Sequence, residues 1–146
     1  MNIQPIHDAA QNGDVETLKQ ILKEKPDAVD LTASEDWTPL IYAAQNNHLE
    51  AVKVLIEHKA TVDKAEERGR TALPSACHNG HAEIAEFLLE SGSAIDKVDK
   101  NGETALISAV VENKLKCVKL LLERKADTTV KATDSFFRHT TFTALD

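Results

Sequence analysis

Gly69-Arg70-Thr71-Ala72-Leu73, followed by Asn79-Gly80-His81 and then Leu88-Leu89, decides the fold, because the same pattern returns at a fixed distance on either side. Thr38-Pro39-Leu40, Thr71-Ala72-Leu73 and Thr104-Ala105-Leu106 lie 33 residues apart. Leu55-Ile56, Leu88-Leu89 and Leu121-Leu122 keep that period, and so do Asn47, Gly80 and Asn113. An earlier copy, Pro5-Ile6-His7-Asp8-Ala9-Ala10, precedes Pro39-Leu40-Ile41-Tyr42-Ala43-Ala44 by 34. A last fragment, Thr143-Ala144-Leu145, follows Thr104 by 39, which implies an insertion of about six residues near 134–141. Self-similarity at such a period is the mark of a stacked repeat protein.

Each unit reads as two short helices. Thr38, Thr71 and Thr104 stand where a hydroxyl can accept a free amide of the first turn. Pro39 takes the first helical position and Pro74 falls within the first turn, where an amide has no intrahelical partner. The second helices carry apolar residues at helical spacing: Val52, Leu55 and Ile56; Ile84, Phe87 and Leu88; Cys117, Leu120 and Leu121. Helices of about ten residues are marginal alone and need neighbours to cover their apolar stripe. Gly13 and Gly80 fall between paired helices, with Asn47 and Asn113 at the equivalent places, and these are the residue types that tolerate a left-handed backbone. Gly69 and Gly102 sit in the turns before Thr71 and Thr104, and Gly92 closes a second helix. The repeat thus uses all five glycines, leaving none for a phosphate-cradling loop.

Composition agrees. Aromatics are 4% of 146 residues: Trp37, Tyr42 and four Phe. Small aliphatic residues suit closely packed helices, whereas strands favour β-branched and aromatic ones. The net charge of −7 argues against nucleic acid as a ligand, which needs clustered Lys and Arg. Residues 1–66 hold 12 acids and 6 bases, and residues 67–146 hold 12 and 11, so a partner meeting the N-terminal half is expected to be basic. A solvated acidic surface that only aids solubility is the plainer account. No apolar stretch approaches the roughly 18 residues of a membrane span, and no signal peptide is present in these residues. The chain alone favours the cytoplasm, with a removed leader left open. Cys77 and Cys117 are too few for a disulfide framework and take apolar repeat positions, as buried thiols do.

The pattern resembles the ankyrin repeat family, whose units run roughly D-x-x-G-x-T-P-L-H-x-A-A-x-x-G-H, then a Val- and Leu-rich helix, then G-A-D. Asp99-Lys100-Asn101-Gly102-Glu103-Thr104 matches the turn of the next copy, and the likeness spans about residues 4–133. It implies an all-α ankyrin-repeat solenoid of helix–turn–helix units joined by β-turn or hairpin loops. As one domain over 1–146, its repeats fall near 4–33, 34–66, 67–99 and 100–133, with 134–146 an insertion plus an incomplete fifth repeat or a cap. Phe136, Phe137 and Phe142 could cover the last apolar face in the second case. Departures exist: the family His survives only at His7, and Lys59 and Lys125 replace the glycine found at Gly92.

The resemblance also implies a curved stack that binds another protein on its concave side, lined by the lead-in turns and first helices. Carried over by position, the turn sites are Ser34, Glu35, Trp37, Glu67, Arg68, Arg70, Lys100, Asn101 and Glu103. The first-helix sites are Asp8, Gln11, Asn12, Tyr42, Gln45, Asn46, Ser75, His78, Asn79, Ser108, Val111 and Glu112. The only Trp and the only Tyr both fall here, and Trp, Tyr and Arg dominate interface hot spots, often at about 2 kcal/mol or more per truncation. Trp37, Tyr42, Arg68 and Arg70 are therefore the expected anchors, against the alternative that Trp37 packs on its own turn. No cofactor or metal is expected: His78 and His81 are two ligands, too few for a closed zinc site. Ser75 and His78 share a helix without a nucleophile elbow. The expected function is that of a monomeric binding module occluding a partner's surface. An inhibitor or self-protection protein for one enzyme fits that mechanism. A passive scaffold and the binding domain of a larger effector or receptor are the rivals within the class, and an enzyme is the rival outside it.

Overall fold

The computed structural model describes residues 4–133 and 141–143. Among the described residues eight helices follow in pairs: α1 (Pro5–Asn12) and α2 (Val15–Glu24), α3 (Pro39–Gln45) and α4 (Leu49–Glu57), α5 (Ala72–His78) and α6 (Ala82–Glu90), α7 (Ala105–Val111) and α8 (Leu115–Glu123). Short 3-10 turns at Pro26–Asp30 and Ser34–Asp36 join the first two pairs. The first helices form one layer, with α1 against α3, α3 against α5 and α5 against α7. The second helices form the other, with α2, α4, α6 and α8 packed in order. This is the all-α helical repeat solenoid that the periodicity requires.

Equivalent residues fill equivalent places in the core. Leu40, Leu73 and Leu106 are fully buried, as are Leu55, Leu88 and Leu121. Ala51, Ile84 and Cys117 form a third buried row. Ala43, Ala76 and Ala109 have no exposed surface, which lets the first helices approach closely and explains how the stack forms with so few aromatic residues. Burying one such leucine stabilises by roughly 1.5–3 kcal/mol, a gain each short helix obtains only from its neighbours.

The capping expectation holds at two of three sites. Thr38 Oγ1 accepts from the Ile41 amide and Thr104 Oγ1 from the Ile107 amide, each at 3.2 Å. Thr71 has the same extended backbone and makes no such bond. Its third residue on is Pro74, which has no N–H to donate. Asn47 and Asn113 adopt φ of 64° and 55°, the left-handed turn that Gly13 and Gly80 make at φ 70° and 76°. The following repeat presses on that turn. A Cβ at Gly13 would lie 2.5 Å from His48 Nδ1. His48 Nε2 then donates to the Gln11 carbonyl, and His81 Nε2 to the Gln45 carbonyl, both at 3.0 Å.

A second series of bonds ties the repeats together. Asp30 accepts from the Thr61 amide at 2.9 Å, Asp63 from the Ala94 amide at 3.1 Å and Asp96 from the Asp127 amide at 2.8 Å. The lead-in turns are tight hairpins, closed by Ala33 N–H to Trp37, Glu66 N–H to Arg70 and Asp99 N–H to Glu103 carbonyls at 2.8, 2.9 and 3.0 Å. After α8, β1 (Lys131–Thr133) pairs antiparallel with β2 (Thr141–Thr143), Ala132 facing Phe142. Ala132 continues the row Ala33, Glu66, Asp99, so β1 stands where the earlier hairpins begin. Phe136 and Phe137, with the expected cap, lie outside the described residues.

Candidate protein-binding surface

The hairpins and first helices meet in a shallow hollow of about 250 Å³ lined by Glu35, Trp37, Gln45, Glu66, Arg68, Arg70 and Ser75. Six of the residues expected on the contact face are thus brought together by two neighbouring hairpins, the end of α3 and the middle of α5. The hairpins run side by side, with the Glu67 amide donating to the Glu35 carbonyl at 2.8 Å and the Lys100 amide to the Arg68 carbonyl at 3.0 Å. That pairing fixes the spacing of the side chains they present.

Trp37 is half-buried and packs against the core edge. Its ring centroid lies 5.0 Å from that of Tyr42, which in turn meets the buried His7 ring edge-on at 5.8 Å. Trp37 therefore does pack on its own repeat, yet one side of it remains on the hollow. Burial, and next the nearby Glu35 carboxylate, hold the Tyr42 phenol above its usual pKa. Arg68 is exposed. Arg70 is half-buried, with Nε 3.7 Å from the Asp99 carboxylate. Ser75 is buried, and its hydroxyl donates back to the Thr71 carbonyl at 3.1 Å, so it contributes floor and no free donor.

The remaining expected residues lie further along the same face. Asn46 and Asn79 turn their side-chain amides onto the Tyr42 and Ser75 carbonyls, at 2.8 and 2.9 Å, closing their own helices. His78 Nδ1 lies 3.9 Å from Glu112 Oε1, linking α5 to α7. Val111 is exposed, and Glu103 is half-buried within its hairpin. Ser108, like Ser75, is buried.

Two carboxylates have roles in the turns that their positions in the repeat did not reveal. Glu66 is buried, and its Oε1 accepts the Arg70 amide at 2.9 Å, while Asp99 Oδ1 does the same for the Glu103 amide at 3.0 Å. These carboxylates set the hairpin shape. Their equivalence was legible, since Glu66 and Asp99 are 33 apart, as are Asp30, Asp63 and Asp96. Elsewhere, Cys77 on α5 and Cys117 on α8 are fully buried free thiols. Among the described residues, no three His, Cys, Asp or Glu side chains gather to hold a metal ion. No described helix is long and apolar enough to cross a membrane.

The comparisons with known proteins agree with this architecture. A family model for ankyrin repeats in three copies matches residues 6–99 and 64–132. Ankyrin repeat protein nuc-2 of Neurospora crassa is 32% identical over 63 residues, 43% of this chain and 6% of that protein. The NAD-capped RNA hydrolase NUDT12 of Macaca fascicularis and of Homo sapiens is 41% identical over 51 residues, 35% of this chain and 11% of that protein. The chain thus spans only a small part of these relatives, and the hydrolase activity in the second name is said of that protein alone. With the repeat matched from residue 6 to residue 132 and the paired helices stacked in two layers, the chain belongs to the ankyrin repeat family and has the architecture of a protein–protein interaction module.

Proposed function

We propose that this chain recognises a partner protein on the face built by its hairpins and first helices, with the hollow beside Trp37 as the centre of contact. The observation that carries this reading is the convergence of Trp37, Gln45, Arg68 and Arg70 on one concavity, three of them of the residue types that anchor interfaces. The rigid scaffold adds to it, because paired hairpins hold these side chains in place before binding and so reduce the ordering cost. The mode of action we favour is occlusion: the face covers a functional surface of its partner, as an inhibitor or self-protection protein for an enzyme would.

Affinity capture with the purified chain, repeated with Trp37→Ala and Arg70→Glu, tests the reading. We expect a partner whose recovery falls at least about tenfold in both variants, the loss of one or two hot-spot contacts. Circular dichroism must show the helices intact. Undiminished capture by both folded variants would move the site elsewhere. Once a partner is in hand, its activity with and without the chain distinguishes occlusion from passive attachment.

A further inference from the structure

The charges around the Trp37 ring carry the reading one step further, to the chemistry of what sits there. The described residues contain one cation–π contact, Lys53 over Phe87 at 5.7 Å, so neither Arg68 nor Arg70 stacks on Trp37. Arg70 is matched by Asp99 through its Nε. The other charged groups on the hollow are two carboxylates, Glu35 and Glu66, and the Arg68 guanidinium. Glu66 is fixed by the Arg70 amide, and Glu35 is exposed on a hairpin held at φ 58°. Across the N-terminal part of the face, Asp8, Glu35 and Asp36 are exposed acids, and the first base met along the turns is Arg68. An indole that shares a hollow with two carboxylates attracts a cation twice, through the ring quadrupole and through charge.

We infer that Trp37, Glu35 and Glu66 form the seat for one cationic side chain, a lysine or arginine, carried on an extended basic segment of the partner protein. This rests on the reading of the hollow as the contact centre. The cation lies against the indole, between the exposed and the anchored carboxylate. Tyr42 packs against the ring, with centroids 5.0 Å apart. The Arg68 guanidinium, exposed at the rim, selects for a segment whose acidic residue, if it has one, follows at that edge.

The only tryptophan in the chain reports the event directly. Fluorescence is followed while an acetylated, amidated Gly-Arg repeat peptide is added at low salt, with the matching Gly-Glu peptide as control. We expect a saturable change with the basic peptide alone, weakened roughly tenfold in Glu35→Gln and by added salt. Calorimetry with Trp37→Ala should show a loss of similar size. Saturation by the Gly-Glu peptide instead would overturn the inference and make Arg68 and Arg70 the reading groups. So would no response to either peptide, or basic-peptide binding unchanged in both variants. In each of these cases a Trp37-dependent capture of a partner would still stand, so the two readings fail separately.

Discussion

At the scale of single residues, burial and backbone geometry set measurable effects at three positions. The Ser93 hydroxyl is buried and lacks a hydrogen-bond partner among the described residues, while Ala60 and Ala126 fill the equivalent places. An unpaired buried hydroxyl costs on the order of 1–3 kcal/mol, so Ser93→Ala should raise the urea midpoint; an unchanged or lowered midpoint would reject the burial argument. Lys125 holds φ 64° where Gly92 holds 101°. A side chain there costs on the order of 1 kcal/mol, partly offset by the freer unfolded chain that glycine brings. Lys125→Gly should therefore stabilise modestly in the same titration, and a clear fall would refute the strain argument. His7 is buried, with Nδ1 accepting the Gln4 amide at 3.2 Å and Nε2 donating to the Leu31 carbonyl. Burial holds its pKa below the ordinary value, with the Leu31 bond opposing. The unfolded chain then binds the proton more readily, so this contribution is complete above about pH 6.5 and is lost as pH falls from there through the folded value. Ring resonances of His7 should titrate below 6.5 by NMR, and titration above it would reverse the sign.

Among the elements, packing decides which of two like residues matters. Leu88 on α6 has no exposed surface, whereas Leu122 on α8 is 38% exposed. Leu88→Ala should cost about 2–5 kcal/mol and Leu122→Ala far less, as measured by denaturant titration. Equal losses would mean that α8 is covered by something else. Cys77 on α5 and Cys117 on α8 are buried free thiols, and the neighbouring Cys117 thiol, together with burial, pushes the Cys77 thiol well above its usual pKa. Native protein should react slowly with iodoacetamide and react fully in urea, as mass spectrometry would show; rapid labelling of Cys77 in the native state would contradict that burial. Helix ends were mostly legible because Thr38 and Thr104 cap as their spacing implied. The failure at Thr71 was legible too, since Pro74 occupies the position whose amide the hydroxyl needs.

For the whole molecule, stability is a sum over units and the contacts between them, so it need not be uniform. Helices α3 to α6 are covered on both sides, whereas Val111 and Leu115, at the end of α7 and the start of α8, are 56% and 70% exposed. Amide exchange in this chain should therefore be faster through α7 and α8 than through α3 and α5, and the reverse order would contradict an additive stack. The 33-residue period, the turn residues and the rows of leucine determined by themselves that the chain folds as stacked helix pairs, because no unit can bury its own apolar stripe. They could not determine what the hairpins do to one another. Only the tertiary structure placed Glu66 in the hollow beside Trp37, engaged Arg70 with Asp99 and buried Ser75, because those contacts join residues of adjacent repeats whose orientation is set by backbone pairing across the stack. Periodicity reports which residues are equivalent, whereas a binding surface is made where equivalent positions carry different side chains, and their arrangement depends on the packed geometry alone.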